Sequence, residues 1–299
     1  MIKGKSPFPF ETIALALAFS PRLEALIAET RRLQLLFGCR VVFIHVGKKT
    51  SEKQRQLSEY LNRAEFSDAN SKIYWEQGVL VDAITRVCKL EVVDLLLLGA
   101  LQKENALAYY MGTVSRDISR KAKCSVLLLT EPHVQPIGFK RVVVNGHEHP
   151  KTIHTLNTAI YWSNHEGSDE VSVVTEVDVP VLSMSLADDA SAGEMQQLRD
   201  QLLLQEEIRH QELRASLIDS NIPVTFSTIS GRSGHSLGQF ARSHKADLLA
   251  VNSPDHSLSI FDRIFTHDIE YLLSDLPCNL LIVHSRINDS TDLSDESDN

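Results

Sequence analysis

The chain has few cysteines, and none of them stands in a chemical motif. Cys39, Cys88, Cys124 and Cys278 are far apart, so the CxxC spacing of zinc and redox sites is missing. We expect four small core residues in a protein of a reducing compartment. Apolar runs of 18 or more residues are also missing, which argues against a membrane-spanning helix.

Positive charge is in deficit, since 30 Lys and Arg stand against 39 Asp and Glu and the net charge is -9. Nucleic acids and anionic membranes attract basic surfaces, so we expect neither as a partner. Lys3 and Lys5 precede an apolar run and loosely imitate a secretion signal. Glu11 interrupts that pattern and no small-residue cleavage site follows, so we expect a cytoplasmic protein.

Two stretches of the chain align without a gap at a shift of 153 residues. The shift places a glycine, an aspartate and a threonine of one stretch on the same residue types of the other: Gly78 on Gly231, Asp94 on Asp247, and Thr113 on Thr266. The length of 299 residues suits two domains of about 150 residues each. The sequence therefore predicts a tandem repeat.

Apolar runs alternate with segments of helical period in both copies, which is a βαβα pattern. Strands that are apolar throughout are typical of a parallel sheet covered by helices on both faces. The predicted fold class is therefore α/β, with two doubly wound parallel-sheet domains. The predicted strands are 13–19, 40–46, 72–75, 92–98 and 125–130 in the first copy, and 141–144, 170–177, 224–230, 247–251 and 279–284 in the second.

The aperiodic segment EPHVQPIGF, with two prolines and a glycine, predicts the boundary between the copies. We expect a first domain at 1–131, a linker at 132–139 and a second domain at 140–286. The acidic, Ser-rich residues 287–299 are expected to be disordered.

Helix punctuation is clearest at the first helix. Ser20 is the predicted N-cap, Pro21 suits the first turn, and Gly38 is the predicted C-terminal stop. The extra length of the second copy lies before its third strand, where residues 194–218 predict a long charged helix.

The loop after the fourth strand of the first copy is the candidate site, because ligands of doubly wound sheets bind beyond the carboxyl ends of the strands. It reads Gly99, two residues, Gln102, nine residues, and then Gly112-Thr113 at the start of a helix. This resembles the phosphate loop of the universal stress protein family, which has Gly, two residues, Gly, nine residues, and Gly followed by Ser or Thr. The resemblance extends over both halves, through GVLVDAITRVCKLEVVDLLLLGA and GRSGHSLGQFARSHKADLLAVNS.

The resemblance implies an adenine nucleotide alpha hydrolase-like fold and ATP with Mg as the ligand of the first domain. Glycines allow backbone N–H groups to approach phosphate oxygens, and a helix N-terminus attracts anions. The hydroxyls of Thr113 and Ser115 would donate to phosphate, and Arg116 would add charge. The site residues implied in this way are Gly99, Gly112, Thr113, Val114 and Ser115.

Several positions depart from the family pattern. Gln102 stands at the middle glycine, and Ala18 stands where nucleotide-binding members have an Asp that contacts the adenine. The matching positions of the second copy are Asn252, Asp255 and Phe265. The helix after the loop has a charge sum of +3 over 113–123, but -3 over 266–276, where Asp268 replaces Ser115. A nucleotide is therefore expected in the first half only.

Neither a catalytic site nor a metal site is predicted. His147-Glu148-His149 could form a metal clip, but no third ligand is identifiable and a solvated polar loop is the favoured interpretation. The function expected from the resemblance is a non-enzymatic stress-response protein. The alternative is a nucleotide-free scaffold or small-molecule carrier with degenerate clefts.

The fifth strand of each half is apolar, as in SVLLLT and NLLIVHS. In the universal stress family this strand pairs across a dimer. The resemblance therefore implies that the two halves pair within the chain as a built-in pseudo-dimer, with a homodimer as a further expectation and no protein partner identified.

Overall fold

A computed structural model describes residues 6–67, 69–102, 109–177, 192–231, 234–253 and 271–285. Twelve strands lie in these ranges. Those before the linker are β1 (Thr12–Ala16), β2 (Arg40–Val46), β3 (Ser71–Glu76), β4 (Leu95–Gly99), β5 (Leu101–Gln102), β6 (Tyr109–Tyr110) and β7 (Ser125–Leu129). Those after it are β8 (Arg141–Asn145), β9 (Glu170–Val177), β10 (Val224–Ser230), β11 (Leu248–Asn252) and β12 (Asn279–Val283).

Ten of these strands form one sheet with the order β10-β9-β8-β11-β12-β7-β4-β1-β2-β3. The order β3-β2-β1-β4-β7 on one side is repeated as β10-β9-β8-β11-β12 on the other, so both halves have the same doubly wound topology. All pairings in this sheet are parallel except at its centre, where β7 and β12 run antiparallel with Leu127 opposite Leu281. The two halves therefore share one continuous sheet.

Seven helices connect these strands within the described ranges. They are α1 (Leu23–Phe37), α2 (Ser51–Arg63), α3 (Leu80–Leu90), α4 (Thr113–Lys121), α5 (Thr152–Glu166), α6 (Ala192–Ala215) and α7 (His235–Ser243). A further short helical stretch covers 271–274. None of the described helices is long and apolar enough to cross a membrane.

The helices cover both faces of the sheet and create two hydrophobic layers. Leu97 and Phe43 face the layer that contains α1, α2 and α5, whereas Leu96 and Val42 face the layer of α3, α4 and α7. Successive strand residues point to opposite faces, so a strand covered on both sides must be apolar at every position. This explains the uninterrupted apolar runs of the sequence.

The repeat is visible in individual hydrogen bonds. The Asp94 carboxylate accepts from the backbone N–H groups of Glu11 and Thr12, at 2.7 and 2.9 Å. The Asp247 carboxylate accepts from Lys140 and Arg141 in the same way, at 2.9 and 2.8 Å. In each half this aspartate ties the start of the fourth strand to the start of the first.

Most predicted elements are confirmed, and β2, β9 and β10 have the predicted bounds. Two details are wrong. The N-cap of α1 is Arg22, not Ser20, because the Ser20 carbonyl closes a turn with the N–H of Leu23 and the helix begins after it. Strand β4 begins at Leu95 because Val92, with φ +50°, still belongs to the turn that ends α3.

The C-terminal stop of α1 is confirmed, since Gly38 has the left-handed conformation with φ +63°. The long helix of the second copy is also present as α6. The predicted disordered tail at 287–299 lies outside the described residues, as do Asp255, Phe265, Thr266 and Asp268.

Candidate functional site

The candidate site lies where the strand order of the first half reverses, at the carboxyl ends of β1 and β4. Gly99 ends β4, and Ala100 follows with its N–H bonded to the carbonyl of Leu129. The chain then forms a small antiparallel pair, β5 with β6, before Gly112 leads into α4. The structure therefore brings the predicted site residues Gly99, Gly112 and Thr113 to one edge of the sheet.

The first turn of α4 is open. Gly112 is the N-cap and offers no side-chain hydrogen bond. Within the described part of the chain, the backbone N–H groups of Thr113, Val114 and Ser115 have no acceptor. Thr113 and Val114 are exposed and Ser115 is half-buried. Three free N–H groups at the positive end of a helix dipole form a binding surface for an anion.

Two cationic side chains of α4, Arg116 and Lys121, make contacts away from this anion-binding surface. The Arg116 guanidinium donates from Nε to the carbonyl of Met111, at 3.0 Å, and burial lowers the pKa of this group. Lys121 forms an ion pair with Asp82 of α3 at 3.1 Å. Arg116 thus braces the loop before α4, a role that the sequence did not indicate.

Leu101 covers one side of the loop. A Cβ placed on Gly112 would lie 2.6 Å from Cδ1 of Leu101, a half-exposed side chain that would have to rotate away. A Cβ on Gly99 would meet Leu26 at an ordinary 3.4 Å. Packing therefore requires glycine at neither position, although Leu101 lies against Gly112.

Arg22 is a site residue that sequence reasoning missed. From the start of α1 its guanidinium donates to the carbonyls of Ala100, at 2.6 Å, and of Leu129 and Thr130. It also lies over the ring of Tyr109, 5.6 Å from the centroid. Burial lowers the pKa of Arg22, partly opposed by Tyr109. Arg22 ties the loop after β4 to the end of β7 and brings a cation to the crevice.

The loop is also fastened to the second half. The N–H of Met111 donates to the carbonyl of Leu273 at 2.8 Å, and the N–H of Leu276 donates to the carbonyl of Tyr109 at 3.0 Å. Met111 is buried among Leu272, Leu273 and Leu276. The segment just before α4 therefore packs on the other half of the molecule.

After β1, Ala18 is exposed and supplies only a backbone carbonyl, which accepts from the N–H of Ser20. Beside it Phe19, His45 and Trp75 form an aromatic cluster, with centroid separations of 4.9 Å for Phe19–His45 and 5.2 Å for His45–Trp75. The three residues are far apart in the sequence, so no local sequence pattern indicates this cluster.

The corresponding edge of the second half is occupied by protein groups. Asn252, which replaces Gly99, is buried and hydrogen-bonded to Thr155 and, at 3.1 Å, to Thr152. Arg209 of α6 donates to the carbonyl of Gly146 at 2.6 Å and to Thr175 Oγ1 at 2.9 Å. These contacts fill the ends of β8, β9 and β11.

Comparison with known proteins agrees with this architecture. Residues 9–130 match the model of the Universal stress protein family. That match covers the first half, including the loop after β4 and all of α4. None of the curated proteins matches the chain.

Solved structures share the fold over more than nine tenths of the chain. A functionally unknown protein from Pseudomonas aeruginosa PAO1 has a TM-score of 0.66 and 12% identity, with 93% of each chain covered. A universal stress protein from Archaeoglobus fulgidus DSM 4304 has a TM-score of 0.65 and 14% identity, and covers 92% of this chain and 99% of its own. A shorter universal stress protein in complex with cAMP has a TM-score of 0.34 and 16% identity, over 41% of this chain and 98% of its own.

Among the described residues, no group of three or more His, Cys, Asp or Glu side chains is placed to hold a metal ion. In the HEH segment, His149 Nδ1 accepts from the backbone N–H of Lys151 at 3.1 Å, as a residue of a local turn.

Proposed function

We propose that the chain is a tandem, non-enzymatic universal stress protein whose first half binds ATP with Mg, or a related adenine nucleotide. In this proposal residues 140–286 are a second, diverged universal stress domain. The nucleotide phosphates lie at the N-terminus of α4, against the loop formed by Gly99, Gly112, Thr113, Val114 and Ser115.

The open first turn of α4 carries the proposal. Its three free N–H groups lie at the carboxyl edge of the sheet, at the point where the strand order reverses and where such folds bind their ligands. In the second half, Asn252 and Arg209 occupy the described ends of the corresponding strands, and the counterpart of the α4 turn lies outside the described residues. This contrast within one molecule favours the first half as the nucleotide-binding half.

In this proposal the residues at the start of α4 bind the nucleotide phosphates, and Arg22 orients the loop that carries them. The N–H groups of α4 donate to phosphate oxygens, with further hydrogen bonds from the hydroxyls of Thr113 and Ser115. Magnesium arrives with the phosphates, which are its usual ligands in nucleotide sites. Arg22 positions the loop by its bonds to the carbonyls of Ala100 and Thr130.

Binding without catalysis is proposed because the open turn carries hydroxyls but no activated nucleophile. Among the described residues, no His, Asp or Glu side chain is bonded to the hydroxyl of Thr113 or Ser115. A hydrolase would need a base within hydrogen-bonding distance of the group that it activates. We therefore expect ATP to remain intact over hours of incubation.

The test is thermal unfolding with and without Mg-ATP. At 100 times its dissociation constant, the ligand adds about 2.7 kcal/mol to the free energy of unfolding. Thr113→Asp should abolish this stabilisation because a carboxylate at the first helical position repels phosphate. Without ligand, the same substitution should stabilise α4 by about 0.3–1 kcal/mol through the helix dipole, so lost binding cannot be ascribed to unfolding.

Ser51→Asp is the matched control, because Ser51 is the exposed first residue of a different helix, α2. It should leave the response to Mg-ATP unchanged. If millimolar Mg-ATP gives no shift for the unmodified protein, the nucleotide proposal is wrong.

A scaffold or small-molecule carrier is the second candidate, and two observations favour it. Leu101 covers Gly112, where a phosphate would have to approach. A cavity of about 540 Å³ also lies between the linker and the second half, with Ile137, Phe139, Arg242 and Asp275 in its wall. Absence of nucleotide binding together with retention of an apolar ligand in native mass spectrometry would support this candidate.

The join between β7 and β12 supports the pseudo-dimer part of the proposal. Leu128 lies opposite Leu280 in this antiparallel pair, which covers both apolar fifth strands inside one chain. An edge strand covered in this way no longer needs a second molecule. We therefore expect the pairing to occur within the chain, and sedimentation equilibrium measures whether a homodimer forms in addition.

A further inference from the structure

The chain leaves the two central strands, β7 and β12, in matching ways. Thr130 follows β7 and lies beside the start of β12, where its N–H donates to Asn279 Oδ1 at 3.0 Å. His284 follows β12 and lies beside the start of β7, where its N–H donates to Ser125 Oγ at 3.1 Å. Because β7 and β12 are antiparallel, the two exits lie at opposite edges of the sheet.

After β7, the linker crosses the amino ends of the strands of the second half. It passes the turns before β12 and β11 and reaches the start of β8, where the Arg141 N–H donates to Asp247 at 2.8 Å. Pro132 and Pro136 of the linker line the same cavity of about 540 Å³ as Arg242 and Asp275 of the second half. The segment that leaves β7 therefore lies against the amino edge of the neighbouring half.

The corresponding edge of the first half is basic. The turns before β4 and β7 lie side by side there, because these strands pair in parallel. Lys89 precedes the first turn, Lys121 and Lys123 lie at the second, and all three are exposed. Lys121 forms an ion pair with Asp82 at 3.1 Å, whereas Lys89 and Lys123 have no ion pair within the described ranges.

Two apolar side chains lie in the same turns. Leu90 is 65% exposed and Val92 is 70% exposed. Val92 has φ +50°, and Lys245, its counterpart in the second half, has φ +49°. The backbone of this turn is therefore the same in both halves. We call the surface formed by Lys89, Leu90, Val92, Lys121 and Lys123 the basic edge.

The two edges differ in charge at equivalent positions. The strand registers, with Leu95 opposite Ser125 and Leu248 opposite Asn279, show that the second half has one extra residue before β12. With this insertion, three positions correspond between the halves: Lys89 with Arg242, Lys121 with Asp275, and Lys123 with Pro277. In the second half Arg242 and Asp275 form an ion pair at 2.8 Å. Beneath the linker these positions are therefore neutral in sum, whereas the basic edge carries three positive charges.

The segment that follows β12 has the complementary charge. Residues 286–299 hold five acidic residues and one arginine, and they include the apolar Ile287 and Leu293. The 14 residues reach up to about 46 Å when extended, and neighbouring strands are only about 5 Å apart. Composition predicts no fold of its own for this segment, but such segments become ordered on a complementary surface.

We propose that residues 286–299 bind intramolecularly to the basic edge, as the linker binds to the corresponding edge of the second half. The carboxylates lie against the three lysines, and the apolar residues of the segment shield Leu90 and Val92. Glu11 closes the path beyond β4, because its N–H is bonded to Asp94 at 2.7 Å. The basic edge lies at the opposite end of β4 from Gly99, so this proposal does not depend on the nucleotide site.

The experiment is carbodiimide cross-linking of the dilute full chain, followed by peptide mass spectrometry. The reagent joins a carboxylate to a lysine amine in direct contact and adds no spacer. The acidic residues of 286–299 should couple to the basic edge at least about tenfold more than to Lys48, because docking raises their effective concentration there. Lys48 is the matched control, since it is also exposed but follows β2 at the opposite edge of the sheet.

Substitutions separate docking from accidental contact. Lys123→Glu should reduce cross-linking to the unchanged Lys89, whereas Lys48→Glu should not. In 1 M NaCl, where the Debye length is about 3 Å, the preference for the basic edge should disappear. Equal coupling to Lys48 and to the basic edge in the unmodified protein at low salt would overturn the proposal.

Isotope labelling identifies the occupant of the basic edge. In an equal mixture of ¹⁵N-labelled and unlabelled chains, intramolecular docking gives cross-linked peptides in which both parts have the same label. Mixed-label peptides would instead assign the edge to a second copy of the chain. Coupling of the lysines to acidic residues outside 286–299 would assign it to another segment, and either result would show that the proposal is wrong.

Discussion

Replacing Arg32 by Met tests the ionic contact that joins the two halves. Arg32 lies on α1, and its guanidinium forms ion pairs with Glu29 on the same helix and with Glu166 at the end of α5 in the other half. Both carboxylates are only 5% exposed and Arg32 is 15% exposed. Trp162 Nε1 also donates to Glu166 at 2.8 Å. Removing the guanidinium leaves two buried carboxylates without their cation.

Loss of one partner from a buried ion pair costs about 3–5 kcal/mol, because an uncompensated charge remains in the interior. Arg32 also lies over the ring of Phe139, 5.0 Å from its centroid, and methionine would retain only part of that packing. We expect Arg32→Met to lower the free energy of unfolding by this amount. If the free energy of unfolding falls by about 3 kcal/mol per M urea, the urea concentration at the midpoint of unfolding would fall by roughly 1 M or more.

Arg63→Met is the matched control. Arg63 pairs with Glu24 at 2.6 Å, but it is 62% exposed, so its loss should cost far less than the loss of Arg32. Adding Glu166→Gln to Arg32→Met should restore part of the stability, since an amide replaces one buried charge. A loss no greater than that of the control would refute the idea that this cluster holds the halves together.

Two further predictions concern pH and nucleotide affinity. Hydrogen bonds from Lys72 and Tyr74 hold the pKa of the Glu91 carboxyl at about 2, below its unfolded value. The ionised Glu91 carboxylate therefore contributes fully to the free energy of unfolding above the unfolded pKa, and this contribution is lost as pH falls toward 2. In urea unfolding, the loss of stability caused by Glu91→Gln should be smaller at pH 3 than at pH 6. An equal loss of stability at both pH values would contradict this. Leu101→Ala should expose Gly112 and tighten Mg-ATP binding by up to about tenfold, which is the gain expected from one additional hydrogen bond. If calorimetry shows an unchanged affinity, Leu101 does not obstruct the nucleotide.

The sheet could be predicted from the sequence because its strands are apolar throughout and separated by helical periods. For β2, β9 and β10 this pattern alone predicted both ends of the strand correctly. The start of β4 could not be predicted in this way, since Val92 is apolar yet takes a left-handed turn conformation and is exposed. Hydrophobicity does not report backbone conformation at the end of a helix.

The candidate site was only partly predictable. Gly112 and Thr113 stand at the start of a predicted helix, so their place at its N-terminus could be inferred. Arg22 and Arg209 could not be found, because their partners are backbone carbonyls distant in the sequence. A carbonyl has no sequence signature, and only the folded chain shows which arginine reaches it.

The loop that precedes α4 has a consequence for dissecting the molecule. Tyr109 and Met111 exchange backbone hydrogen bonds with Leu276 and Leu273, which come from the far end of the chain. An excised amino-terminal fragment would therefore lack the backbone partners that hold the segment just before α4 in place. The second half, even without a ligand of its own, therefore stabilises the conformation of this segment of the first half.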